Sequence, residues 1–329
     1  MVKLRDARYC NLKLLLIFLV IYGHLIEPRI EQSKVLMIQY QWIYLFHMPL
    51  FCFLSGLFLN NSKSCGRQFK KMFLLYVLLQ AVVVFLGDGQ VEPSTPFWHL
   101  WYLLSYSSWT GLGWIWFHFC KGKGKIIILI CSILIGCAAG LVPSIGREYS
   151  LSRTLVFFPY FWMGLIWDSK YAWQKLKPIG LAALGIVIAI LLNLENQIPV
   201  SFLYQADSYG KLENGVLLRL TCYLLGTFIC IFLLSFMPMK RFPFTRVGAD
   251  TMPAYLAHAP IVLYIRELDI PWFFHLLIAA MILYVTYKIL QWHGGLYGIV
   301  PAERRSSRCL AFKKFMKNTP SQSIGSCYP

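Results

Sequence analysis

Residues 12–26, LKLLLIFLVIYGHLI, decide the fold class of this chain. Apart from Lys13 and His24, the run consists of aliphatic and aromatic residues and one glycine. A helix of about 20 such residues can cross roughly 30 Å of hydrocarbon. The run therefore predicts a membrane helix near the start of the chain.

Similar apolar runs recur along the rest of the sequence. They lie near residues 39–59, 70–87, 97–119, 126–142, 154–167, 176–194, 216–238, 251–265 and 272–290. The chain of 329 residues is 58% hydrophobic and 14% charged, whereas soluble domains carry about 25% charged residues. Because ionised side chains are costly in hydrocarbon, we predict an all-α fold, a polytopic membrane helix bundle of about ten transmembrane helices.

The distribution of lysine and arginine predicts the orientation of this bundle. These residues concentrate at the N-terminus and in every second loop, as they do on the cytoplasmic side of membrane proteins. Both ends of the bundle are therefore predicted to be cytoplasmic. We expect one transmembrane domain over residues 1–295 and a basic, disordered cytoplasmic tail over residues 296–329.

The net charge of +17 does not indicate nucleic-acid binding, because the basic residues are spread over short loops between apolar runs. None of the ten cysteines belongs to a CxxC pair, and the histidines have no metal-ligand spacing. We therefore expect no metal site and no nucleic-acid partner. The lipid bilayer is the expected environment.

Two ionisable residues of the first run are candidates for function, since such groups are rare inside membrane spans. Lys13 and His24 are eleven residues apart, which places them on one helix face about 16 Å apart along the axis. The pair could bring a cation and a titratable imidazole to one cavity. Alternatively, Lys13 extends to the membrane surface and His24 makes a hydrogen bond within the bundle.

Later runs contain further candidates. His47 lies beside Pro49, which frees a backbone carbonyl in the helix. Trp101 belongs to an aromatic stretch, Arg153 directly precedes the sixth run, and His258 lies in the ninth. Each has a structural alternative: a kinked helix with a satisfied histidine, an interfacial aromatic belt, or a buried histidine that only packs.

Five segments in order resemble the acyltransferase 3 family of integral membrane acyltransferases, with the closest similarity to its fucose 4-O-acetylase-like branch. They are NLKLLLIFLVIYGHLIEP (11–28), FHMPLFCFLSGLF (46–58), HLWYLL (99–104), LSRTLVFFPYFWMGLIWD (151–168) and VGADTMPAYLAHAP (247–260). The sequence departs from the family pattern at Asn11, where Asp is common, and at Thr251, where Ser is usual. The first departure leaves open whether a charge pair forms there.

The resemblance implies transfer of an acetyl group from cytoplasmic acetyl-CoA to a hydroxyl of a glycan or lipid-linked sugar. His24 would be the general base or take the acetyl group transiently, and Glu27 would hold its tautomer or remain a simple loop carboxylate. His47 would complete the catalytic group. The expected ligands of the CoA phosphates are Lys13, Arg67, Lys70 and Lys71, and the expected substrate-binding residues are Trp101, Arg153 and His258.

Two other classes of protein remain open at this point. A polysaccharide or small-molecule transporter or flippase would also use buried histidines and broken helices, although the chain has no internal repeat. A catalytically silent membrane sensor is the third class, and the presence of both Lys13 and His24 argues against it. The resemblance implies a bacterial plasma membrane, and it leaves the acceptor and the oligomeric state open.

Overall fold

The computed structural model describes residues 7–87, 91–121, 123–167, 173–193, 198–210, 212, 214–268 and 270–296. The predicted tail after residue 296 lies outside the described residues. Within them the chain forms α-helices, short 3-10 turns and no strands. The predicted all-α class is confirmed.

Twelve α-helices are present in these ranges. They are α1 (Ala7–Ile26), α2 (Lys34–Leu57), α3 (Ser62–Leu86), α4 (Trp101–Phe119), α5 (Lys125–Ala139), α6 (Leu151–Ile166), α7 (Lys177–Asn193), α8 (Val200–Leu203), α9 (Gly215–Phe236), α10 (Thr245–Ala249), α11 (Met252–Arg266) and α12 (His275–Leu296). Each of the ten apolar runs falls on a helix. The short α8 and α10 were not predicted, because a single helical turn has no hydrophobic period to detect.

Four helical segments of the described chain are long and apolar enough to cross a membrane, judged by length and composition. They are Ala7–Gln32, Ser62–Leu86, Gly215–Phe236 and Trp272–Ile289, while α5 and α7 form shorter apolar helices. The remaining predicted spans are helical but shorter or more polar. Membrane-helix character is thus supported, and the count of about ten crossings with both ends in the cytoplasm stays a prediction.

The helix α1 lies at the centre of the bundle and packs against α2, α9, α10, α11 and α12. The helix α2 packs most extensively against α6, and α3 packs against α4. Fourteen of the 20 residues of α1 are buried. A helix that neighbouring helices enclose in this way carries apolar residues on all its faces. This arrangement places the Lys13–His24 face of α1 inside the protein.

Asn11 ties the start of α1 to the segment that precedes α10. Its amide nitrogen donates to the carbonyl oxygens of Pro238 and Lys240, both at 2.9 Å, and its amide oxygen accepts a hydrogen bond from Thr245 at 2.6 Å. An ionised aspartate has no N–H donor for the two carbonyls. Asn11 therefore has a structural role here. Because it is not an aspartate, it supplies no carboxylate for a charge pair at this position.

Candidate functional site

A cavity of about 500 Å³ lies inside the bundle, within the usual range for small-molecule sites. We call it the central cavity. Its polar and aromatic lining includes Lys13, His24, Glu27, Tyr44, His47, Ser55, Arg67, Trp98, His99, Trp101, Tyr102, Arg147, Arg153, Tyr204 and Tyr255.

One face of α1 forms a wall of the central cavity. Lys13, Ile17, Val20 and His24 all line it, which is the spacing of residues on one side of a helix. Eleven residues of helix separate the lysine from the histidine, a rise of about 16 Å. The cavity therefore extends between a cationic end and an imidazole end, and both belong to the same helix.

At the first end, Lys13 donates to the carbonyl oxygen of Ala249 at 3.3 Å, and its ammonium lies 5.6 Å from the ring centre of Phe58. Arg67 of α3 lines the same cavity and is exposed. Lys70 and Lys71 are also exposed, but they do not line the cavity. The structure thus brings together two of the four predicted phosphate-binding cations.

At the other end, His24 has polar neighbours on one ring nitrogen. Its Nδ1 lies 3.3 Å from the hydroxyl oxygen of Tyr44 and 3.8 Å from Oε2 of Glu27. Its ring centre is 4.5 Å from that of Trp98. About 17% of the side chain is exposed, so the imidazole is held on one side and remains reachable from the cavity.

Glu27 begins the 3-10 turn that directly follows α1 and lines the central cavity. Its Oε1 accepts a hydrogen bond from the hydroxyl of Tyr204 at 3.1 Å, and its Oε2 accepts one from Arg266. It is the only carboxylate among the described residues that line the cavity. Glu27 is therefore part of a hydrogen-bonded group beside His24.

His47 is buried on α2 and lines the cavity between the two ends. Its Nδ1 lies 2.7 Å from the carbonyl oxygen of Ile43. A carbonyl can only accept, so Nδ1 carries a proton and Nε2 is the acceptor of the neutral ring. The ring also packs edge-on against Tyr44 at 4.7 Å.

Arg153 and Trp101 lie together on the cavity wall. The guanidinium carbon of Arg153 is 4.9 Å from the ring centre of Trp101, a cation–π contact. Its Nε donates to the carbonyl oxygen of Tyr204 at 3.1 Å. This hydrogen bond attaches the segment between α8 and α9 to the cavity wall.

His258 does not line the cavity. It is fully buried behind His24, with the two rings 5.6 Å apart and nearly parallel. Its Nδ1 donates to the carbonyl oxygen of Tyr255 at 2.6 Å. The proposed contact of His258 with substrate is therefore not supported by its position, because the His24 ring lies against it.

Three residues around His24 were missed from the sequence, namely Tyr44, Tyr204 and Arg266. They lie on three separate segments, and no local pattern links them to the first helix. Arg266 is one of five arginines on the predicted outer side, so the distribution of basic residues does not single it out. No group of three or more potential metal ligands occurs among the described side chains.

Comparison with known proteins identifies the family. The model of the acyltransferase 3 family, described as an acyltransferase domain, matches residues 9–290. No curated protein and no solved structure matches the chain. The family predicted from the five segments is confirmed, and the fucose 4-O-acetylase-like branch stays a prediction. With its membrane-helix character and this match over most of its length, the chain belongs to the acyltransferase 3 family and is a membrane acyltransferase.

Proposed function

We propose that the protein is an O-acyltransferase that moves an acetyl group from cytoplasmic acetyl-CoA to a hydroxyl of a cell-envelope or exported glycan. The fucose 4-O-acetylase-like branch of the family, which the sequence resembles, is the model for this chemistry. One observation carries the proposal: Lys13 and His24 line the same cavity from opposite ends. A donor held at one end can thus meet an acceptor that enters from the other.

The donor end suits an anionic ligand. Lys13 and Arg67 supply positive charge there, and the single carboxylate of the described lining, Glu27, lies beside His24. Charge-assisted hydrogen bonds from such groups to phosphate are strong. The residues present therefore fit the phosphates of CoA, and the acyl thioester would extend into the cavity towards His24.

His24 is the proposed general base. Its Nδ1 faces Glu27 and Tyr44, so Nε2 is the nitrogen that takes the proton of the acceptor hydroxyl. The hydroxyl oxygen then bonds to the thioester carbonyl carbon, the carbon–sulfur bond breaks, and CoA leaves as a thiolate that regains a proton. Base assistance of this kind contributes about 10²–10⁴-fold to rate.

The acceptor end offers the groups that a sugar requires. Arg153 supplies guanidinium N–H donors, and Trp101 and Tyr204 supply aromatic surface and a hydroxyl. A glycan hydroxyl needs both hydrogen-bonding partners and apolar contact for orientation. The predicted topology, with the N-terminus in the cytoplasm of a bacterium, makes this the outer side of the plasma membrane.

The deciding experiment compares the wild type, a gene deletion and His24→Ala in the native host by NMR of purified envelope polysaccharides. Loss of one O-acetyl signal in both mutants, with the His24→Ala protein still in the membrane, is the expected result. An unchanged acetyl pattern with a mislocalised polysaccharide would instead support the transporter or flippase. Acetyl-CoA hydrolysis by the purified protein supplies the second readout.

A further inference from the structure

Arg266, the last residue of α11, contacts three of the groups that surround His24. Its Nε donates to the backbone carbonyl oxygen of His24 at 2.9 Å, and its Nη2 donates to Oε2 of Glu27. Its guanidinium carbon lies 4.9 Å from the ring centre of Trp98, which in turn packs on the imidazole. One side chain thus connects the end of α1, the carboxylate and the indole.

The contact with Glu27 determines where that carboxylate sits. One carboxylate oxygen accepts from Tyr204, and the other lies between Arg266 and Nδ1 of His24. Only about 18% of the Arg266 side chain and 25% of the Glu27 side chain are exposed. Because water screens such a pair weakly, the arginine holds the carboxylate more firmly than a surface partner would.

We propose that Arg266 is a positioning residue for acyl transfer, which acts through Glu27 and the His24 carbonyl to hold the imidazole. This inference rests on the proposed function of His24. Arg266 is absent from the lining of the central cavity, so it does not act on the donor or the acceptor directly. Its role is to keep Nδ1 facing Glu27 and Nε2 directed to the substrate hydroxyl.

The first test measures kcat and KM for Arg266→Gln. A misplaced catalytic group of about 1 Å can cost on the order of 10²-fold in rate, so we expect kcat to fall roughly 10- to 100-fold. The KM values for acetyl-CoA and acceptor should change less than about threefold, since ground-state binding is retained. A raised KM with an unchanged kcat would overturn the proposal.

Arg29 provides the matched control. It also donates to backbone carbonyls, those of Ile270 and Leu268 just after α11, and it does not line the central cavity. Arg29→Gln removes an arginine that joins the same two parts of the chain, and it should retain kcat within about twofold. Arg266→Lys keeps the charge beside Glu27 without the planar fork of donors, and it should recover part of the lost rate.

A double variant tests whether Arg266 acts through Glu27. Residues of one network give non-additive effects, so Glu27→Gln with Arg266→Gln should be little worse than the worse single variant. Full multiplication of the two losses would show that Arg266 acts by another route.

A labelling measurement tests the position of the His24 imidazole without requiring acetyl transfer. Diethyl pyrocarbonate reacts with the neutral imidazole, the dominant form at about pH 8, and mass spectrometry reports modification of His24 separately from other histidines. We expect Arg266→Gln and Arg266→Lys to change the His24 rate threefold or more, and Arg29→Gln to leave it unchanged. Equal rates in all four proteins would overturn the positioning role, whereas a wild type without acetyl transfer would overturn only the proposed function.

Discussion

Gly56 of α2 and Gly164 of α6 lie where these two helices cross, and each faces the backbone of the other helix. A Cβ atom on Gly56 would overlap the carbonyl oxygen of Phe161, and one on Gly164 would overlap that of Phe53. Only hydrogen atoms fit at this crossing. The contact fixes the distance between the helix that carries His47 and the helix that carries Arg153.

The crossing predicts the effect of a single methyl group. Gly56→Ala must push α6 away from α2, and overpacking of this kind costs about 1–3 kcal/mol. We expect a lower melting temperature in detergent and reduced transferase activity. Gly185→Ala is the control, because a Cβ there on α7 meets nothing within 4 Å. A Gly56→Ala protein as stable as Gly185→Ala would contradict the close approach.

Replacement of His24 should greatly slow the chemical step and leave donor binding unchanged. We expect His24→Gln to reduce kcat by about 10²–10⁴-fold, the usual contribution of a general base, while the KM for acetyl-CoA changes little. His118→Gln is the control, since His118 lies exposed at the end of α4 and outside the cavity. Wild-type kcat in His24→Gln would remove the histidine from the mechanism.

The lining of the donor end predicts that two neighbouring cations of α3 contribute differently to the binding of acetyl-CoA. Arg67 lines the central cavity, whereas Lys71 on the same helix does not. Loss of a charge-assisted hydrogen bond costs about 1.5–3 kcal/mol, so Arg67→Gln should raise the KM for acetyl-CoA roughly 10- to 100-fold. Lys71→Gln should leave it within about twofold. Equal effects of the two variants, both removed by salt, would indicate a general surface potential instead.

The ion pair of Arg147 and Asp207 links the loop before α6 to the loop that carries Tyr204. Two hydrogen bonds of 2.9 Å join them, and both side chains are about half exposed. The guanidinium of Arg147 lowers the pKa of Asp207 below its usual value. Because water screens the pair, its contribution to stability should be below about 1 kcal/mol.

The sign of the pH effect follows from this lowered pKa. A carboxyl with a depressed folded pKa stabilises above its unfolded value of about 3.9 and loses that contribution as the pH falls through the folded value. Asp207→Asn should therefore melt slightly below the wild type at neutral pH, and the difference should vanish once the pH falls below the depressed pKa of Asp207. A difference that grows in acid would contradict the ion pair.

Much of the helical framework follows from local sequence, because an apolar run long enough to cross lipid must satisfy its own backbone hydrogen bonds, and a helix does so within the segment. The predicted runs near residues 12–26 and 216–238 agree with the bounds of α1 and α9 to about five residues or fewer at each end. Helix periodicity alone also places Lys13 and His24 on one face. The number of membrane crossings does not follow from these runs, since length and composition identify four helical segments of the described chain as long and apolar enough to span.

The grouping around His24 depends on contacts between distant segments. Tyr44, Tyr204 and Arg266 reach His24 or Glu27 from three separate segments, and none has a spacing that relates it to His24. The exclusion of Lys71 and His258 from the cavity is equally non-local, because Lys71 lies on the exposed side of α3 and the ring of His24 lies against His258.

By itself, the sequence determined the helical class, the family and the shared face of Lys13 and His24, because each depends on composition, ordered motifs or the fixed period of one helix. Only the tertiary structure decided that Arg67 lines the central cavity and that Arg266 holds Glu27 beside His24. The physical reason is that packing between helices sets these distances, and packing depends on side chains far apart in the chain.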